Sequence, residues 1–484
     1  MRTKYFLSGL FALLVGIAAY AQDEEYATGL LPDDSTYDKL PIKAELLTRD
    51  YTILPSSHSL IQYCPVVRSQ SHYQTCAGWA SAYAARTIAE AIKYDWTDKD
   101  KITREAFSPL FIYALVKDKK PGYSDDNCQN GAYTHMALEV MKNQGVPKLS
   151  AFNVMCANYV SEDLKRLAQA YKIDDYFTLF RSIVNDGNEK VRKVKKSISE
   201  DCPVIISMEL PQSFHLAKET WNGQDVDPSK HGRHAMCVVG YDDNKQGGAF
   251  CVMNSWGQNW GDNGFVWIKY DDFAKFVYQA FEIYVRKMPK PQPQPQPQPD
   301  PKVDVIKTNR LAGKLELQLS TGEMMKTILQ HAGDMSTYKM EDSYISGTRY
   351  RLYISNNEPA YVYVIGSDLT GNISKVFPPK NNISAALTYK SNHIAIPDER
   401  YYIEMDQTVG TDYMCVLYSK EPLDINAVIN QINKTNGSLY EKIQTALKNQ
   451  LIRKEDIKYQ AKTIEFQAES QQTIVPIIVE IPHK

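Results

Sequence analysis

Apolar positions along the 484-residue chain change their spacing twice, and the changes mark its organisation. In the first long stretch the spacing is helical. Residues 80–94 hold six Ala, with Tyr83, Ile88 and Ile92 near helical intervals and neither Gly nor Pro, which predicts a helix beginning near Cys76. Residues 108–116 and 131–143 follow the same rule, the second stopped by Gly145 and Pro147, and residues 161–171 and 189–199 are helical by periodicity. From Pro203 the pattern turns to strands, at 203–208, 234–241, 249–254, 264–270 and 280–285. The polar loop 242–248 joins two of these as a hairpin, which puts His234 and Asn254 at the same end of a ladder on neighbouring strands. A helical half followed by a strand-rich half implies an α+β fold of two lobes with a cleft between them.

The second change comes after residues 289–301, a repeated Pro-Gln run that reads as a polyproline II spacer and a domain boundary. Such a spacer is expected to hold its flanking bodies about 30 Å apart and to disfavour packing of the second against the cleft. Beyond it, short alternating strands rich in Tyr, Val and Ile recur at 314–319, 350–355, 360–366, 373–377, 400–405 and 413–419. A helix over 424–449 and two last strands, 463–467 and 473–481, complete a sandwich-like second domain.

Residues 1–21 read as a secretory signal: Arg2 and Lys4, an apolar run from Phe6 to Ala18, then Ala19-Tyr20-Ala21 before Gln22. That run is shorter than the roughly 20 residues of a spanning helix, and no other stretch is long and apolar enough, so export without a transmembrane segment is expected. The product is then secreted, periplasmic or on the cell surface. Residues 22–53 open acidic and hold one short amphipathic piece, 42–47; they read as a linker or arm. The expected layout is therefore signal 1–21, extension 22–53, two-lobed domain 54–288, spacer 289–301 and β-rich domain 302–484.

Composition adds exclusions. With 43% apolar and 23% charged residues and a formal net charge of −2, the chain has no electrostatic pull toward nucleic acid or anionic lipid. No cofactor is expected, and no metal: no His or Cys pair shows zinc spacing, the nearest candidate being His231 with His234.

The candidate chemistry starts at residues 70–79, Gln-Ser-His-Tyr-Gln-Thr-Cys-Ala-Gly-Trp. Cys76 stands at the start of a helix, where unpaired N–H groups and the helix dipole favour thiolate over thiol. A small buried hydrophobe is the competing reading of that position alone. Two later segments decide between them. His234 enters one hairpin strand, in Gly-Arg-His-Ala-Met-Cys-Val-Val-Gly-Tyr, and Asn254 leaves the other, in Asn-Ser-Trp-Gly. An imidazole to take the thiol proton and an amide to orient the ring are what a nucleophilic thiol needs.

In these elements and their order, residues 54–288 resemble the papain-like cysteine peptidases. The resemblance implies Cys76 as nucleophile, His234 as general base, Asn254 as orienting amide and Gln70, six positions before Cys76, as oxyanion-hole donor. It implies that Trp256 covers the His-Asn contact and that Asn130, Gly131, Ala235 and Trp256 contact substrate, Cys128-Gln-Asn-Gly131 being similar to the loop whose backbone pairs with the substrate chain. Ala77 after the nucleophile, with Trp79 two positions on, and Arg233 before the base depart from the family pattern and bear on subsite shape and pH profile. Members often carry a helical pro-segment that fills the cleft backwards, which residues 22–53 could do only in abbreviated form. Family placement also suggests a Cys128–Cys156 disulfide, with Tyr73 where the usual partner near the nucleophile stands. Cys237 and Cys251, on the two hairpin strands, read as buried free thiols.

The expected function is a secreted cysteine peptidase acting on peptide or protein substrates. Two alternatives are a catalytically silent scaffold in a surface binding protein, and an acyl-transferring relative using the same thiol. The C-terminal domain shows no catalytic constellation and is expected to attach to a surface component or partner.

Overall fold

The computed structural model describes residues 26–44, 54–117, 127–223, 231–286, 309–332, 335–367, 373–388, 393–397 and 401–484. The signal stretch and the Pro-Gln spacer lie outside these. Among the described residues no helix is long and apolar enough to cross a membrane.

The first lobe is built around one continuous helical run. It starts as α-helix over Cys76–Gly78, passes through a π-helical stretch, Trp79–Arg86, and returns to α-helix over Thr87–Tyr94. Every residue of the π-helical stretch is buried, which its small side chains allow; of its two polar members, Ser81 donates to the Ala77 carbonyl and Arg86 pairs with Glu90. The helix Pro109–Val116, N-capped by Ser108, crosses the start of this run so closely that a Cβ on Gly78 would lie 2.3 Å from the Pro109 carbonyl oxygen. Helices Thr134–Asn143, Glu162–Ala168 and Gly187–Ser199 stand where periodicity predicts them. Lys99–Arg104 and Tyr270–Phe276 are short helices that periodicity misses.

The second lobe is a sheet in the order Asp175–Thr178, Val277–Tyr284, Val204–Leu210, Gly232–Asp242, Ala249–Met253, Phe265–Lys269, Thr220–Trp221. The predicted hairpin is Gly232–Asp242 with Ala249–Met253, paired from Asp242↔Ala249 to Cys237↔Met253 with a register shift between Val238 and Gly240.

The C-terminal domain is a β-sandwich of a seven-stranded and a six-stranded sheet. It includes a hairpin, Thr327–Ala332 with Met335–Met340, absent from the sequence reading. The helix expected over 424–449 is two, Ile425–Lys434 and Leu439–Leu447. Gly437 at φ +116° breaks the run, and Ser438 with Glu441 forms a capping box that starts the second helix afresh.

The two domains are not held apart. Phe177 of the first domain's edge strand shares an apolar cluster with Tyr361, Tyr363, Ile425 and Leu447, and all four residues of Asp175–Thr178 are buried. Tyr361 donates to Asp175 at 3.3 Å, and Arg286 donates to Glu421 at 3.0 Å and to the Lys420 carbonyl at 3.1 Å. A stiff spacer limits the separation of its own ends and leaves the surfaces beyond them free to meet. The edge strand carrying Phe177 favours that meeting, since its apolar side chain is buried only against the second domain's cluster.

Gly78→Ala is expected to destabilise the chain by about 1–3 kcal/mol through overpacking against Pro109, read as a lowered denaturant midpoint.

Candidate active site

His234 sits near the start of its strand, opposite Met208, and Asn254 lies one residue past the end of the neighbouring strand. Their side chains meet: His234 Nε2 is 2.7 Å from Asn254 Oδ1. The same Oδ1 accepts the Ser255 backbone N–H at 2.7 Å, and two donors at one oxygen fix the amide's orientation, so Nε2 carries the ring proton. This leaves His234 Nδ1 as the acceptor nitrogen, buried and without a hydrogen-bond partner. Trp256 stacks on the imidazole at 4.8 Å and covers it.

The start of the Cys76 run packs against this strand, and the Ala235 backbone N–H reaches the Cys76 thiol. Gln70 completes the group. Its Oε1 accepts from Ser255 Oγ at 2.6 Å, which turns Nε2 toward the cleft and the Tyr73 carbonyl, 2.7 Å away. Ser255 escapes the sequence reading; its place between Asn254 and Trp256 is the available signal.

Residues 26–31, expected to belong to a linker or arm, fill the cleft. Tyr26 stacks on Trp256 at 4.9 Å, and the Ala27 carbonyl accepts from Trp256 Nε1 at 3.0 Å and from Gln70 Nε2 at 3.2 Å. Leu30 N–H donates to the Arg233 carbonyl at 3.2 Å. Ala132 donates its N–H to the Gly29 carbonyl at 3.0 Å and accepts from Leu31 N–H at 3.1 Å, a parallel bridge. The segment holds its place mainly through the main chain, which explains why its side-chain pattern gives no sign of it.

The segment pairs next to the expected substrate-contact residues. Ala132, one position beyond the expected Gly131, makes both backbone bonds, and a main-chain role leaves no side-chain signature in the sequence. Gly131 is needed for closeness, since a Cβ there would lie 2.4 Å from the Gly29 carbonyl oxygen. Asn130 is buried, and its carbonyl accepts from Tyr113 within the helical lobe. Cys128 and Cys156 form a disulfide; Cys64, Cys76, Cys237, Cys251 and Cys415 are free thiols. Among the described residues no cluster of His, Cys, Asp and Glu could hold a metal ion.

Residues 67–282 match the papain family cysteine protease. This segment is a papain-family cysteine protease domain. Residues 343–422 match a domain of unknown function. The chain is 24% identical over 247 residues to an uncharacterized peptidase C1-like protein of Acanthamoeba polyphaga mimivirus, covering 48% of this chain and 75% of that one. It is 28% identical over 144 residues to cysteine proteinase 3 of Entamoeba histolytica, covering 29% of this chain and 44% of the relative. Among solved structures, the cysteine protease xylellain from Xylella fastidiosa aligns with a TM-score of 0.43 at 21% identity, covering 54% of this chain and 97% of that one.

With the cleft filled, the electrostatics of the papain-family site invert the sequence expectation. Burial pushes the Cys76 thiol up to about 12, against the smaller opposing pull of backbone N–H groups led by that of Ala235. Burial likewise holds His234 down at about 4, with the Asn254 bond raising it and His215 lowering it. Both groups are neutral in this form. The helix start cannot outweigh the loss of water over a thiol with no exposure.

A depressed imidazole gives the pH dependence its sign. Between about 6.5 and 4 the unfolded chain binds the proton and the folded chain does not, so the stability His234 contributes is full above 6.5 and is lost as pH falls through 4. Denaturant midpoints of the native chain are therefore expected to fall more steeply over that window than those of His234→Phe; parallel curves would contradict the assignment.

Proposed function

We propose that the chain is an exported cysteine peptidase held latent by its own residues 26–44. Cys76 is the nucleophile, His234 the general base and acid, Asn254 the orienting amide and Gln70 the oxyanion donor. The observation that carries the reading is the His234–Asn254 bond at 2.7 Å, which leaves Nδ1 as a buried acceptor without a partner, with Cys76 packed against the same strand and the Gln70 amide donating to the Ala27 carbonyl at 3.2 Å and the Thr28 carbonyl at 3.5 Å.

Departure of the segment readmits water and removes the burial that keeps both groups neutral, so proton transfer from Cys76 to His234 Nδ1 becomes accessible. A peptide entering the cleft pairs with the backbone of Ala132. The thiolate attacks its carbonyl carbon, and the π electrons move to the oxygen, where Gln70 Nε2–H donates. As the tetrahedral species collapses, the imidazolium gives its proton to the leaving nitrogen and the C–N bond breaks. A thioester remains. Water, deprotonated by His234, attacks it and releases the acid, restoring the thiol. Asn254 keeps the ring edge-on to both steps through Nε2–H.

Export rests on the leader-like residues 1–21 and agrees with a Cys128–Cys156 disulfide, a bond that persists outside the reducing cytoplasm.

The test is turnover of a fluorogenic peptide library, with and without an added amine acceptor. Cys76→Ala should be folded and inert. His234→Ala should lose about 10²- to 10⁴-fold, and Asn254→Ala less, because the amide orients while the ring moves the proton. Gln70→Ala should lower kcat about 10²- to 10³-fold with little change in ground-state binding. Full activity in Cys76→Ala would end the proposal, and a product formed only with the amine present would turn it into acyl transfer.

A further inference from the structure

The inhibitory segment has a second anchorage, far from the cleft. Residues 41–43 lie in the seam between the domains, and their backbone groups alternate between the two. Thr178 N–H donates to the Pro41 carbonyl at 3.0 Å, and Lys43 N–H donates to the Thr178 carbonyl at 2.9 Å, both on the peptidase side. Ile42 turns the other way. Its N–H donates to the Asn382 carbonyl at 2.9 Å, and its carbonyl accepts from Ser384 N–H at 2.9 Å. Ile42 thus bridges Thr178 and Ile383 in parallel, so the segment is the middle of three strands whose outer two belong to different domains.

Side chains close the seam. Lys43 Nζ lies 2.6 Å from each carboxylate oxygen of buried Glu282. Ala44 packs into the core of the C-terminal domain. Arg181 ties the three pieces together, donating to the Leu40 carbonyl at 2.9 Å and to the Asn382 carbonyl at 3.1 Å. Between seam and cleft the segment stays on the peptidase: Tyr37 is buried and donates to the Phe180 carbonyl at 2.6 Å, and Asp38 accepts from Ser182.

We propose that the C-terminal domain is the lock on the latent state: the strand slot at Asn382–Ser384 holds Ile42, and through it keeps residues 26–31 in the cleft. This rests on the reading of residues 26–44 as inhibitory. The physical ground is effective concentration. The cleft end is a short peptide held by a few main-chain bonds, a weak ligand if free. Anchoring it at the seam shortens its tether and raises its local concentration at Cys76, and that concentration falls as the tether lengthens. Loss of the two Ile42 bonds leaves the segment to its peptidase-side bonds at Tyr37, Asp38, Pro41 and Lys43 alone and loosens the tether. Docking of the C-terminal domain and closure of the cleft are therefore coupled.

The test uses the full chain and a thiol-directed epoxide, following Cys76 labelling over time by mass spectrometry. Ile42→Pro removes the N–H that Asn382 accepts and leaves the sequence of both domains intact. Ser384→Pro removes the donor from the other side. Each deletes one backbone bond and is expected to speed Cys76 labelling about 5- to 10-fold. An unchanged rate in Ile42→Pro, whose domains are unaltered, overturns the lock whether or not Ser384→Pro folds. Peptide turnover is read separately. Labelling that accelerates without any cleavage supports the lock and rejects the peptidase reading, whereas cleavage with an unaccelerated rate does the reverse.

Discussion

The 2.7 Å bond between His234 and Asn254 depends on the whole sheet around it. It joins two residues that are not opposite each other in the ladder, one near the start of a strand and the other just beyond the end of its neighbour. A slip of one residue in that hairpin would turn each side chain to the other face. The register shift between Val238 and Gly240 is part of what brings them together, and the Asn254 N–H bond to the Gly264 carbonyl holds the end in place. Sheet order, bulge and turn are all fixed before the imidazole can meet Asn254.

What the site can do then depends on water. Cys76, His234 and Gln70 have no exposure, and the cover is the chain's own main chain. The same residues that would form a thiolate–imidazolium pair in a wet cleft are both neutral in a dry one, because the charged forms lose hydration that nothing replaces. On the proposed reading, latency needs no distortion of the residues themselves, only the exclusion of solvent and substrate.

The residues proposed to do the chemistry, Gln70, Cys76, His234 and Asn254, are legible in the sequence through residue type and spacing. The hairpin joining two of them was legible through its alternation and its polar loop. What escaped was carried by the backbone or by very short elements. Ala132 works through its amide and carbonyl, which any residue possesses. Residues 26–31 pair by main chain and show no periodicity. Phe177 nucleates the domain contact from a four-residue strand, too short for a pattern to emerge. The break at Gly437 interrupts an otherwise continuous helical period, and an isolated Gly within such a period is a weak signal. The protonation state of Cys76 was misjudged because helix position was visible and the cover was not.

The three-stranded seam also orders events during synthesis. Ile42 emerges from the ribosome early, whereas Asn382 and Ser384 emerge near the end, so the strand slot cannot close until most of the chain has been made. Such a long-range pairing is intrinsically slow to form. A nascent peptidase domain therefore passes through a period when its segment is seated on one side only, and an interrupted or truncated translation product would carry that half-closed state permanently.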